Sequence, residues 1–241
     1  MRVAGLLLAL VLVTSCFVGG TFAKYVTHGG GSDTARVAKF GVVVTGSGDE
    51  AVFATKYAEG ANTPISTTGT VSVAAGNNKD HVVAPGTKSA DEGILMTTVT
   101  GTPEVKVKVE YGAAVSLSGD WQSDDAGTFY CPLIIKVGTT EIKGIECTSA
   151  ADFAAKVHDA IVALGTGKIY EAGTDLSNEA GLKTKISWEW PFEQGADNTE
   201  KANNDLKDTY LGDLAAKITD PTDSKMPKVH ITVTTTVTQV D

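Results

Sequence analysis

Along this chain, hydrophobic residues alternate with polar ones far more often than they recur at helical spacing. The pattern is clearest over residues 105–111. Val105, Val107, Val109 and Tyr111 fall on one face, and Lys106, Lys108 and Glu110 on the other. Period two with one charged face marks a half-buried strand. Residues 229–240 behave the same way: Val229, Ile231, Val233 and Val237 share a face with Thr235, while His230, Thr232, Thr234, Thr236 and Thr238 take the other. Further strands are expected over 36–45, 51–57, 70–74, 80–83, 94–100, 169–172 and 182–190, with a hairpin of 130–137 and 141–147 around Gly138-Thr139-Thr140. Ala84-Pro85-Gly86 is a turn signal.

One segment follows helical spacing instead. Ser149 stands where a cap belongs, Asp152 follows three residues later, and Phe153, Val157, Ile161 and Leu164 then form an apolar stripe. Gly165 is its expected stop. The spacing predicts a helix over 150–164, inserted across a sheet. Residues 193–208 read as a polar loop, and 205–216 as a short helix. Many short strands with Gly-rich turns and a single strong helix point to a mainly β fold, a jelly-roll-like β-sandwich with a helical insertion.

The N-terminus does not fit that body. Arg2 precedes an apolar run from Val3 to Val13, and Thr21-Phe22-Ala23 supplies small residues before Lys24. This describes a signal peptide over 1–23, and the run is shorter than the ~20 residues of a spanning helix. A rival reading takes Val13-Thr14-Ser15-Cys16 as a lipobox, with Cys16 as a lipidated first residue. Residues 24–35 contain Gly29-Gly30-Gly31 and read as a flexible N-terminal segment. Residues 36–241 are then one β-sandwich domain. Loss of Arg2 with the leader leaves 19 Lys and Arg against 29 Asp and Glu, a formal charge of -10. Such a balance argues against nucleic acid and against anionic membrane surfaces. The expected location is the extracellular matrix or the cell surface, with no membrane contact after cleavage unless Cys16 carries lipid.

Candidate chemistry is sparse. The four histidines, His28, His81, His158 and His230, form no HExxH, and no G-x-S-x-G occurs. Gly165-Thr166-Gly167-Lys168 matches a phosphate loop only in part, since Ile169 replaces the Ser or Thr, and it reads as the helix stop. His158 belongs to the polar side of its helix. Trp188 and Trp190 point to one face at a strand end beside Pro191 and Phe192. They serve either as core packing or as contact aromatics for a glycan or a protein. The acidic stretch after them offers Asp197, Glu200, Asp205 and Asp208 as calcium candidates. Hard oxygen ligands suit calcium, but the spacing fits no EF-hand, and a solvated acidic loop is the plainer reading. No other cofactor is indicated.

Outside the leader, two cysteines remain. With a three-residue turn at 138–140, Cys131 and Cys147 face each other across the hairpin, a disulfide candidate. A one-residue slip would place them on opposite faces as two free thiols.

Gly19-Gly20-Thr21-Phe22-Ala23 followed by Lys24-Tyr25 resembles the leader end of the TasA/camelysin-like family of secreted bacterial biofilm-matrix and surface proteins. Ala84-Pro85-Gly86 and the run from Asp33 to Gly41 fit the same pattern. The resemblance covers about a tenth of the chain. It implies cleavage by a dedicated signal peptidase, a jelly-roll subunit, and assembly in which the N-terminal segment completes the sheet of the next subunit. Here the donor would be Lys24, Tyr25, Val26, Thr27 and His28, and the partner another copy of the chain or a related matrix subunit. The helical insertion and Trp188-Glu189-Trp190-Pro191-Phe192-Glu193 depart from that family. Camelysin's protease activity is not carried over without HExxH. The leading expectation is therefore a non-enzymatic fibre or matrix subunit. A monomeric surface-binding module built on Trp188 and Trp190 is the alternative, and a metallopeptidase of unfamiliar type the third.

Overall fold

The computed structural model describes residues 35–46, 52–53, 56–57, 67–69, 73–76, 81–89, 93, 97–183 and 185–241. The chain divides between Val37 and Ala38. Of the first unit only residues 35–37 are described, so the signal peptide, Cys16 and the expected donor Lys24 to His28 lie outside the described residues.

The body from Ala38 to Asp241 is mainly β. Its strands are β1 (Val42–Gly46), β2 (Lys56–Tyr57), β3 (Thr67–Gly69), β4 (Val73–Ala74), β5 (Thr87–Ser89), β6 (Thr97–Gly101), β7 (Val107–Ser118), β8 (Ile134–Val137), β9 (Thr140–Lys143), β10 (Ile169–Tyr170), β11 (Ile186–Glu189) and β12 (Lys228–Gln239). They pair antiparallel into sheets ordered β1-β6, β2-β4, β10-β7-β12 and β3-β5-β11-β8-β9. The helices α1 (Ala150–Ala163) and α2 (Asn198–Ala216) pack with them among the described residues.

The two long strands follow their alternation. In β7, Val107, Val109 and Tyr111 are buried while Glu110 is exposed. In β12, Ile231 is buried and Val229, Val233, Thr235 and Val237 are half-buried, while His230, Thr232, Thr234, Thr236 and Thr238 face out. The strands pair over twelve residues without interruption, from Lys228↔Ser118 to Gln239↔Val107. Thus β7 runs seven residues past Tyr111, through Gly112, Ala113 and Ala114, whose small side chains hide the period two from a hydropathy reading. β1 starts at Val42 rather than at residue 36, and the strand expected from residue 182 starts at Ile186, because Ala180–Leu182 forms a 3-10 turn.

Helix α1 matches the expectation of residues 150–164 closely. The Ser149 side chain accepts from the Asp152 N–H, and Asp152 in turn accepts from the Thr148 N–H at 2.9 Å. Phe153, Val157 and Ile161 are fully buried, at about 1.5–3 kcal/mol each for the apolar area removed from water. The stripe packs on β7 and reaches β8 and β9. Gly165 ends the helix for a local reason: a Cβ there would stand 2.6 Å from the Tyr111 N and 2.9 Å from the Glu110 Cα. Only a residue without a side chain lets the chain leave the helix against β7.

The second helix corrects the expected loop over 193–208. It begins at Asn198, capped by Asp197, whose side chain accepts from the N–H groups of Thr199 (2.8 Å) and Glu200 (2.9 Å). Glu200 reaches back to the Ala196 N–H at 2.6 Å. Its inward positions are Asn204, Asp208 and Leu211. Two of the three are polar, so no apolar stripe announces it.

The β8–β9 hairpin also differs from expectation. Val137 pairs with Thr140, leaving a two-residue turn, Gly138-Thr139, with Gly138 at φ +59°. That conformation is nearly free of steric cost only for glycine.

Candidate functional site

Helix α2 meets the core through a buried polar cluster. Asp208 is 5% exposed. Its Oδ1 accepts from the Tyr130 hydroxyl (2.6 Å) and from the Trp190 Nε1–H (3.1 Å). Asn204 Nδ2 donates to the Tyr130 oxygen at 2.5 Å, and its Oδ1 accepts from the Gln194 N–H at 2.9 Å. Gln194 Nε2 donates to the Pro132 carbonyl at 2.7 Å. One turn of helix thus holds Tyr130, ahead of β8, and Trp190 and Gln194, after β11, by hydrogen bonds. Asp208 Oδ2 has no hydrogen-bond partner among the described residues.

The electrostatics follow from that burial. Desolvation pushes the Asp208 carboxyl up to about 6, against the pull of its two donors, and Asp205 adds to the rise. Burial, and then the Asp208 bond, raise the Tyr130 phenol far above its ordinary range. Lys207 lies 5.7 Å above the Tyr130 ring, within cation–π range. The cluster is closed to solvent, so what it does is fasten α2 to the sheets.

The calcium candidates are placed along this helix, not on a loop. Asp197 is the cap, Glu200 closes the capping box, Asp205 is exposed and Asp208 is buried against Tyr130 and Trp190. The structure does not converge them: among the described residues no three His, Cys, Asp or Glu side chains come together as a metal site.

Trp188 and Trp190 do share a face, and it is the core face. They are 2% and 5% exposed. Trp188 donates its ring N–H to the Val52 carbonyl (2.8 Å) and stands 5.2 Å from the Phe53 ring. Neither ring can stack on a ligand, which corrects their reading as contact aromatics. Of that cluster, Phe192 is the exposed one.

The cysteine pair is corrected as well. The hairpin register sets Ile134 opposite Lys143, one residue away from the register that would face Cys131 with Cys147. A 3-10 turn over Gly144–Glu146 then carries Cys147 off the strand. Both thiols are free. Cys131 is fully buried, and desolvation pushes it up to about 12. Cys147 is half-buried, 3.6 Å from Lys156 Nζ.

Among the remaining sequence features, Lys168 accepts a backbone bond from Val109 at 2.9 Å, so the glycine-rich stretch before it serves as the helix exit. His158 is exposed beside Asp159 at 3.0 Å, and His230 meets Thr232 at 2.8 Å on the outer face of β12.

The unexpected feature is a strand edge. β12 is the last strand of its sheet, and among the described residues no strand pairs with its outer side, although β1 and β6 lie against it and Thr97 Oγ1 meets Thr235 Oγ1 at 2.6 Å. The alternation that identifies the strand carries no sign of this.

No family model, curated protein or solved structure matches the chain. Its class therefore rests on its own fold: the described residues form a mainly β body of several antiparallel sheets with two packed helices. Among the described residues, no helix is long and apolar enough to cross a membrane.

Proposed function

We propose that the protein is a secreted structural subunit of an extracellular fibre or biofilm matrix, a jelly-roll-like β-sandwich assembling by N-terminal strand donation. The observation that carries this reading is the set of exposed apolar side chains at the start of the body. β1 pairs only with β6 among the described residues, and its Val43 and Val44 are 57% and 41% exposed, with Phe40 just before it at 41%. Val37, in the first unit, is 90% exposed. An added strand would cover exposed apolar side chains of this kind. The resemblance of the leader end to a fibre-forming family supports the same reading. An added strand gains affinity from backbone pairing and register from alternate side chains. The partner is another copy of the chain or a related matrix subunit. A surface-binding module loses its expected platform, since Trp188 and Trp190 are buried.

Sedimentation of the mature chain, with and without residues 24–31, tests the proposal. The whole chain should form concentration-dependent polymers, and the truncated chain should stay folded and sediment as smaller species. A whole chain that remains monomeric at every concentration, with cell extract as seed included, would overturn it.

A further inference from the structure

The outer edge of β12 has a defined hydrogen-bonding pattern. The Val240 N–H donates to the Lys106 carbonyl (3.0 Å), continuing the register in which Gln239 faces Val107. On the other side of β7, the Val109 N–H donates to the Lys168 carbonyl. Even-numbered residues of β12 therefore turn their backbone groups toward β7, because neighbouring residues of a strand point their N–H and C=O in opposite directions. The odd-numbered residues Val229, Ile231, Val233, Thr235, Val237 and Gln239 present theirs outward. Proteins usually blunt such edges with proline, lysine or a bulge. β12 contains no proline, its pairing runs unbroken, and its one lysine, Lys228, stands at the first position.

Charge favours the same strip. The chain carries a formal net charge of -9, which opposes self-association in general. From Val229 to Gln239 there is no acidic, lysine or arginine side chain. Two copies can approach there without like charges facing each other.

We infer that the occupant of this edge is the β12 strand of a second copy, paired antiparallel about a two-fold axis at Thr234. In this register Val229 faces the second copy's Gln239, Ile231 faces Val237, and Val233 faces Thr235, each pair occurring twice. All six outward residues are used, and none is left over. Between them, Thr234 meets its own counterpart, Thr232 meets Thr236, and His230 meets Thr238, all from the exposed face. The pairing joins two three-stranded sheets into one of six. It is distinct from N-terminal strand donation and does not rest on it.

The self-pairing of Thr234 gives a sharp test. A residue opposite itself at a non-hydrogen-bonded antiparallel position has Cα atoms about 4.5 Å apart, within disulfide reach. The variants Thr234→Cys, Thr232→Cys and Thr236→Cys are made in the whole chain carrying Cys147→Ser, and oxidised mildly at matched concentration. Thr234→Cys should yield about tenfold more covalent dimer than either neighbour alone, because the neighbours' own counterparts lie beyond disulfide reach. An equimolar mixture of Thr232→Cys with Thr236→Cys should crosslink to about half the extent of Thr234→Cys, since half of its dimers pair the two variants. Thr234→Lys should abolish the dimer on sedimentation, and mixing it with Thr234→Glu should restore it. Equal crosslinking at all three positions, or none at 234, would overturn the pairing. If polymers persist while position 234 fails to crosslink, the β12 contact falls and strand donation stands.

Discussion

Asp208→Asn keeps the shape of the buried side chain and removes its titration. The Asn Oδ1 can still accept from the Tyr130 hydroxyl and the Trp190 ring N–H, as Asp208 does at 2.6 and 3.1 Å. What changes is the second oxygen, which has no partner among the described residues. In the folded chain the carboxyl titrates at about 6, against an ordinary 3.8. A carboxyl raised on folding binds its proton more tightly in the native state than in the unfolded one. Its contribution to stability is therefore fully present below pH 3.8 and is lost as pH rises through about 6. At 1.36 kcal/mol per pH unit, that gap corresponds to ~3 kcal/mol.

The Asn side chain has no such term, but its amide hydrogens replace the unpaired oxygen and leave buried donors, at a cost of about 1–3 kcal/mol. The two effects oppose each other at neutral pH and separate in acid. Below pH 4 the variant should be the less stable chain by roughly the amide cost. Between pH 3.5 and 7.5 the difference should move by ~3 kcal/mol in its favour. Urea unfolding of both chains across that range, followed by tryptophan fluorescence, gives the difference directly. Asp124, Asp152 and Asp220, whose carboxyls are lowered by hydrogen bonds from backbone and side-chain donors, titrate alike in both chains and cancel. A difference that stays constant with pH would refute the assignment of the raised carboxyl to Asp208.

Phe153→Ala empties a fully buried position between α1 and β7, and should cost about 3–5 kcal/mol in urea unfolding; a loss under 1 kcal/mol would mean that the helix does not carry this part of the core. For the thiols, a maleimide reagent should label Cys147 in the native chain and Cys131 only after unfolding, since Cys131 is fully buried and pushed up to about 12. Two protected sulfurs in unreduced, unfolded protein would contradict the free-thiol structure.

How far the sequence reaches depends on which residues face inward. β7 and β12 were readable because Val107, Val109 and Ile231 alternate with polar neighbours, and α1 because Phe153, Val157 and Ile161 form a stripe behind a Ser149 cap. Helix α2 escapes the same test because it turns Asn204 and Asp208 inward, toward Tyr130, which lies 74 and 78 residues away in sequence. Hydropathy cannot register a helix held by hydrogen bonds. One local signal was present: Asp197 followed three residues later by Glu200, the same kind of cap that reveals α1. The cysteine pair fails for a smaller reason, one residue in the length of a turn, since a slip by one reverses every face. The aromatic pair shows the limit of alternation itself. Trp188 and Trp190 share a face as their spacing requires, but period two does not say whether that face meets water or the core.

The edge of β12 lies beyond pattern altogether. Alternation assigns its side chains to faces, whereas edge status depends on whether another strand arrives beside it, which is a property of topology. What the sequence does contain is the absence of protection. From Val229 to Gln239 no proline, lysine or acidic residue interrupts the run, and a strand buried on both sides needs none. The same composition on an edge unpaired among the described residues leaves six alternate outward backbone positions, and no charged side chain of a chain at -9 stands along that strip. Reading the composition together with the topology converts an ordinary terminal strand into a surface with a specific register, in which Thr234 must meet itself.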